Sequence, residues 1–77
     1  MSKKNIEDVV RASLETYLRD LRGTEPGNLH DMVMLTVEKP LLEVVMKHAD
    51  DNQSRAAQWL GLNRNTLRKK LLEHHLV

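Results

Sequence analysis

Apolar side chains in the first part of the chain fall at Ile6, Val9, Val10, Leu14, Tyr17, Leu18 and Leu21, mostly three or four positions apart. One stripe at that spacing predicts an amphipathic helix over residues 5–22, with the charged side chains on its other face. Gly23 ends it. The segment Gly23-Thr24-Glu25-Pro26-Gly27 reads as a short loop, because two glycines and a proline neither continue a helix nor supply packing side chains. So short a connection predicts an antiparallel helix pair. Met1 to Asn5 are expected to fray.

A second helix is predicted from about Asn28, carrying Leu29, Met32, Val33, Thr36, Val37, Leu41, Leu42, Val44, Val45 and Ala49. Pro40 lies inside it and must either break or kink it, since proline removes a backbone donor and crowds the preceding turn. The apolar spacing continues from Val37 through Leu41 to Val44, so a kink is expected. The apolar side of this helix is too wide for one short partner helix to cover. Size points the same way: a monomer of 77 residues buries only about 60% of its unfolded surface. There is no cysteine to staple it, and a core of this size seldom supplies more than roughly 3–5 kcal/mol. A homodimer is therefore expected, with Val10, Leu14, Leu18, Val33, Val37, Leu41 and Val45 at its core.

The second half has shorter elements. Asp50, Asp51 and Asn52 can each cap a following helix, and Asn52 is the expected cap. Ser54 to Leu60 then forms about two turns, too short to stand alone in water. Gly61 sits at a sharp turn that favours positive φ. Asn63 caps a last helix that runs to about His74. Ala57 suits a close helix crossing, and Ala56, Leu60, Leu62, Leu67 and Leu71 form a small core. The fold class is all-α, four helices in one domain, 1–77. Residues 5–50 are dimerisation helices, and residues 52–75 form a helix-turn-helix.

Arg64 and Arg68, four apart, share an outer face of the last helix, with Asn65 and Lys69 beside them. An α-helix fits the major groove of duplex DNA, where arginine pairs with guanine and asparagine with adenine. Asn63, Arg64 and Arg68 are the base-proximal candidates, because the early turns of the second helix of such a motif meet the groove. Thr66, Lys69 and Lys70 are assigned to backbone phosphates. So are Asn52, Gln53, Ser54 and Arg55, whose amides lie at a positive helix end. Structural readings compete at three of these positions: Asn52 and Asn63 as caps only, and Lys70 as a solvated helix end.

Charge sharpens the division. The net charge is +1, but residues 1–51 hold seven Lys/Arg against ten Asp/Glu, a net of −3, while residues 52–77 hold five against one, a net of +4. A basic field at one end steers a polyanion there, and the acidic half is better suited to self-association. The plain alternative is a lysine-rich solvated face on an ordinary helical protein. No apolar stretch approaches the 20 or so residues that cross a bilayer, and no signal peptide is visible, so a soluble, cytoplasmic chain is expected. Neither catalysis nor a metal nor any cofactor is expected. Without cysteine the available groups are His30, His48, His74 and His75 among ordinary carboxylates, and adjacent histidines do not converge by spacing. His74 and His75 instead suit the negative end of the last helix when protonated. A dimeric adapter that presents the basic helix to an acidic protein is the rival from another class.

The runs Glu38-Lys39-Pro40-Leu41-Leu42-Glu43-Val44-Val45-Met46, Asn52-Gln53-Ser54-Arg55-Ala56-Ala57 and Gly61-Leu62-Asn63-Arg64-Asn65-Thr66-Leu67-Arg68-Lys69-Lys70-Leu71 closely resemble the bacterial factor for inversion stimulation (Fis) family. The resemblance covers nearly the whole chain. The second half also resembles the terminal DNA-binding domain of nitrogen-regulation enhancer-binding activators. The first resemblance implies an intertwined homodimer, in which two long helices from each chain make a four-helix core and the last two helices bind DNA. It also implies DNA bending at degenerate sites, nucleoid association and action on transcription, with contact to the transcription machinery. By the same resemblance, Asn63, Arg64 and Arg68 match the groove-facing set, and Asn52, Ser54, Thr66, Lys69 and Lys70 the backbone set.

Two departures limit what carries over. The family's recombination factor has an N-terminal β-hairpin arm that touches the recombinase, and here the first helix begins almost at once, so a recombinase partner is not expected. It also has a basic, glycine-containing turn where this chain has Asp50-Asp51, and two acids there are expected to weaken wrapping of flanking DNA. A free-standing factor is expected over a detached activator terminus, because a whole first helix precedes Asn28 and Met1 begins the chain.

Overall fold

The computed structural model describes residues 2–77, and within them four helices follow one another without a strand. Helix α1 spans Lys3–Asp20. The fraying expected for Met1 to Asn5 is corrected over the described part of that segment, Met1 itself lying outside it. The Ser2 hydroxyl oxygen accepts the Asn5 backbone N–H at 3.3 Å and caps the helix two residues earlier than the apolar pattern suggested. Serine is among the preferred N-caps because it satisfies an otherwise unpaired first-turn donor. Arg22 (φ 51°) and Gly23 (φ 88°), both left-handed, follow its end.

Helix α2 spans Leu29–His48 and passes through Pro40 without a break. Its 20 residues make a shaft of about 30 Å. The Thr36 carbonyl, four residues before Pro40, has no helical N–H to accept there. One turn further back the Thr36 hydroxyl donates to the Met32 carbonyl at 2.6 Å. Between α1 and α2 lies an apolar groove of about 420 Å³, lined by Val9, Val10, Leu14 and Tyr17 on one side and Met32, Val33, Val37 and Pro40 on the other. No residue of α1 is buried.

The buried core sits at the other end of the molecule. Leu42, Met46 and Ala49 from α2 and the residue after it meet Ala56 and Ala57 of α3 (Gln53–Leu60) and Leu67 and Leu71 of α4 (Arg64–Glu73). Val45, Leu60 and Leu76 pack on the edge of that cluster. Among the described residues these seven buried apolar residues are outnumbered by twelve large apolar residues left exposed, nine of which lie on α1 and α2: Ile6, Val9, Tyr17, Leu18, Met34, Leu35, Val37, Leu41 and Val44.

The dimensions agree with that imbalance. A compact monomer of 8.9 kDa has an accessible surface of about 4,800 Å², and this chain exposes 6387 Å². Its radius of gyration is 14.9 Å, against about 11.5 Å for a compact chain of its length. The excess surface is roughly 1,600 Å² per chain, and the exposed apolar side chains of α1 and α2 mark where it lies.

Candidate nucleic-acid interface

Three backbone devices hold α3 and α4 in place. Asn52 caps α3 as expected, its Oδ1 accepting the Arg55 N–H at 3.1 Å, and α3 begins at Gln53, one residue earlier than predicted. Gly61 is left-handed (φ 71°), and the next amide, Leu62 N–H, donates back to the Ala57 carbonyl at 2.9 Å. This is the Schellman closure, and it requires a residue that tolerates positive φ. Three residues, Gly61, Leu62 and Asn63, separate the two helices, the turn length of a helix-turn-helix. Asn63 caps α4, its Oδ1 accepting the Asn65 N–H at 2.8 Å. Ala56 and Ala57, both buried, provide the close approach that larger side chains would prevent.

At 100° per residue, the buried side of α4 is marked by Leu67, Leu71 and His74, with half-buried Lys70 at its edge. The opposite side carries Asn65, Arg68 and Lys69, all exposed, together with exposed Leu72. Arg64 stands in the first turn, about 20° from Leu71 on the same count and so ahead of the buried side rather than opposite it, and is also exposed. Thr66 is exposed on the flank. From α3 and its cap, Asn52, Ser54 and Arg55 are exposed and Gln53 is half-buried. The structure thus places nine of the ten assigned residues where their polar ends can reach a ligand. Both asparagines spend their side-chain oxygen on capping, which leaves each its NH₂ group as the donor for an outside acceptor. The Arg55 guanidinium is also engaged locally, lying 5.7 Å from the Trp59 ring centre and 4.0 Å from an Asp50 carboxylate oxygen.

Lys70 differs from the other nine: its side chain is half-buried and engaged within the chain. Its ammonium donates to Glu38 Oε2 of α2 at 2.9 Å, and the other oxygen, Oε1, faces His74 Nε2 at 2.9 Å. Hydrogen bonds from Lys70 and then from His74 hold the Glu38 carboxyl below the usual carboxylate range, and the bond to Glu38 pushes the Lys70 ammonium up. An ionised carboxylate only accepts, so His74 Nε2 carries the proton in this contact. His74, at the end of the last helix, is buried. Separations of 32 and 36 residues hide this cluster from any local pattern. One signal was present: Glu38 stands one turn before Leu42 and two before Met46, on the stripe of α2 that is buried.

The turn before α3 is strained in a way the sequence does not advertise. Asp50 (φ 53°) and Asp51 (φ 60°) are both left-handed, and the Asp51 N–H closes on the Met46 carbonyl at 2.9 Å. The geometry is the one Gly61 adopts at the end of α3, here made with two non-glycine residues. Both carboxylates are exposed beside the α3 N-terminus, so they place negative charge next to the basic face. Among the described residues no three acidic, histidine or cysteine side chains converge as a metal site, and no helix is long and apolar enough to cross a membrane.

The sequence profile of the bacterial regulatory proteins of the Fis family matches residues 35–74, which is more than half of the chain and takes in most of α2 and all of α3 and α4. The chain belongs to the Fis family. Its likeness to Fis relatives continues through α1. The chain is 57% identical over 77 residues to a Fis-like DNA-binding protein of Ralstonia nicotianae, covering 100% of both. It is 55% identical over 73 residues to one from Neisseria meningitidis serogroup B, covering 95% of this chain and 92% of that one. With the DNA-binding protein Fis of Aliivibrio fischeri strain ES114 it shares 45% over 74 residues, 96% of this chain and 76% of the relative. The family is one of bacterial regulatory proteins, and the relatives named are DNA-binding proteins.

Proposed function

We propose that this Fis-family chain acts as a homodimer that binds and bends duplex DNA in the nucleoid and thereby regulates transcription. One observation carries the dimer: the surface excess of roughly 1,600 Å² per chain, about 3,200 Å² for a pair, falls in the range of obligate dimers. The nine exposed apolar residues of α1 and α2 supply a surface of the composition such interfaces have. Val10, Leu14, Leu18, Val33, Val37, Leu41 and Val45, each half-buried or exposed in the single chain, form its core. Val45 also packs against the α2–α4 cluster, so it serves both the chain and the pair.

Residues 5–50 then set the distance between two copies of α4, and residues 52–75 read the DNA. Arg64 and Arg68, with the Asn63 amide, meet base edges; Asn52, Gln53, Ser54, Arg55, Thr66 and Lys69 hold phosphates on either side. Two helices fixed to one rigid core accept only one spacing of major grooves. Where straight DNA does not match that spacing, it bends, and bending 20–30 base pairs by 40–90° costs on the order of 1–6 kcal/mol. Charge-assisted phosphate contacts offset that cost, and the sequence dependence of DNA stiffness selects sites without base contact. The likeness to whole relatives through α1 supports a dimer core of the chain's own over an isolated activator terminus.

The test is an electrophoretic shift on random duplex at two salt concentrations with the protein above and below its dimer dissociation constant. Binding that requires two chains and weakens steeply with salt is expected. A salt-insensitive complex, or capture of an acidic protein with no affinity for duplex, would favour the adapter reading.

A further inference from the structure

We propose that Glu38 is a positioning residue for DNA recognition: its carboxylate brackets α4 at two points and sets the angle at which that helix stands on the α2 shaft. This rests on the reading of α4 as the groove-entering helix. Leu42 and Met46 of α2 share one buried apolar cluster with Ala56 and Ala57 of α3 and Leu67 and Leu71 of α4, in which α4 packs chiefly on α3 and α3 on α2, and such contacts are non-directional. The α3–α4 unit can rock on α2 across such a patch with little change in buried area. Two hydrogen bonds to one carboxylate remove that freedom, Lys70 Nζ to Oε2 and His74 Nε2 to Oε1, each 2.9 Å.

The geometry suits the task. Residues 70 and 74 are one turn apart, about 6 Å along α4, so the bracket resists tilting as well as sliding. The Glu38 side chain is 24% exposed and that of His74 7%, which places both bonds in a medium where they are stronger than on an open surface. Among the described residues, no other side-chain hydrogen bond joins two different helices. Arg64 lies about 12 Å along the helix from the middle of the bracket, so a tilt of about 10° there moves its Cα by about 2 Å. That displacement exceeds what a bidentate hydrogen bond to a base tolerates. In a two-fold pair the error appears in both half-sites and changes the groove spacing the dimer demands. Glu38 therefore governs discrimination and bend, while the phosphate contacts, made by long and adaptable side chains, are largely spared.

The experiment uses the full chain with Glu38→Gln, which keeps the shape but cannot accept from both partners, and with His74→Phe, which leaves the Lys70 bond intact. Four readouts are needed: sedimentation for the dimer, residual dipolar couplings of the DNA-free protein for the orientation of α4 on α2, affinity for random duplex against a duplex selected by the wild-type chain, and bend angle by fluorescence energy transfer. The expected result is an intact dimer with a reoriented α4. Affinity should fall about tenfold or more on the selected duplex and about threefold or less on random duplex, with a changed bend. Equal losses on both duplexes, or an unchanged α4 orientation in both variants, overturns the proposal. A wild-type chain that binds neither duplex overturns the DNA reading and the recognition role of Glu38 with it, whereas the dipolar couplings report separately on the bracket. Should Glu38→Gln not fold, His74→Phe carries the same comparison.

Discussion

Leu41 offers the cleanest perturbation of the proposed pair, because it is 48% exposed and absent from the buried cluster around Leu42, Leu67 and Leu71. Full burial of a leucine side chain stabilises by roughly 1.5–3 kcal/mol, so covering its remaining half in a dimer contributes about 1 kcal/mol per chain. A two-fold interface contains the residue twice, and Leu41→Ala should weaken the dimer by about 2 kcal/mol, close to 30-fold in dissociation constant. Leu41→Asp adds the desolvation of two carboxylates, several kcal/mol each, and should weaken it by more than about a thousandfold. Sedimentation equilibrium across a concentration series measures this directly, with a duplex shift assay run at the same concentrations. DNA affinity should fall in step with dimer dissociation for both variants. A Leu41→Asp chain that sediments as a dimer at wild-type concentrations would refute the placement of Leu41 in the interface and the area argument behind it. Val45 cannot serve in its place, since its contacts with the single-chain core would confound assembly with folding.

Four further expectations concern the DNA-reading unit. Arg64→Ala should lose preference between selected and random duplex, with affinity for the selected one weakened by about 1–3 kcal/mol; equal weakening on both would remove its base-reading role. Lys69→Ala should lower affinity nearly uniformly and reduce the slope of log affinity against log salt by about 1, the share of one neutralised phosphate, and an unchanged slope would take it off the phosphate set. Gly61→Ala meets open space but a forbidding φ of 71°, so it should cost roughly 1–2 kcal/mol in thermal unfolding, and Gly61→Asn less. Asp50→Gly and Asp51→Gly should each raise the melting temperature, by relieving left-handed strain of up to about 1–2 kcal/mol, and should tighten duplex binding by removing a negative charge. A glycine variant that binds no better would show that these acids do not face DNA.

The Glu38 cluster also sets a pH dependence. Lowering of the folded Glu38 carboxyl means that its contribution is complete above the ordinary carboxylate range and is lost as pH falls through that range to the lower folded value. Lys70 has the opposite sign: raised in the fold, its contribution is complete below the ordinary lysine range and is lost as pH rises beyond it. The groups that face the cluster are Lys70 and His74 toward Glu38, and Glu73 toward Lys70. Chemical unfolding at a series of acidic pH values should show a steeper loss for wild type than for Glu38→Gln, and parallel curves would contradict the assignment.

Local chemistry made most of the second half legible. Asn52, Gly61 and Asn63 act at the positions their side chains or backbones suit, and Ala56, Ala57, Leu67 and Leu71 form the core that their spacing implies. The continuity of α2 through Pro40 was readable because apolar spacing on one face does not shift across it. Three things were not legible. The early start of α1 depends on a single serine outside the apolar pattern. Asp50 and Asp51 adopt a conformation that sequence rules reserve mainly for glycine and asparagine, and only the closure on the Met46 carbonyl imposes it. Lys70, by type and place a phosphate-binding lysine, is claimed by an acid 32 residues away. Helix periodicity gives the facing of each element but not which faces meet, and Lys70 and His74 turned on that choice.

In the proposed complex two chains, joined along α1 and α2, present two copies of α4 to one bent duplex. Fluorescence energy transfer between the two ends of a short duplex, titrated with protein at fixed low salt while mass photometry counts the chains bound, tests this in one experiment. A complex of two chains per duplex is expected, with the ends drawn closer together than in free DNA. Binding by single chains, or a two-chain complex whose duplex stays straight, would contradict it.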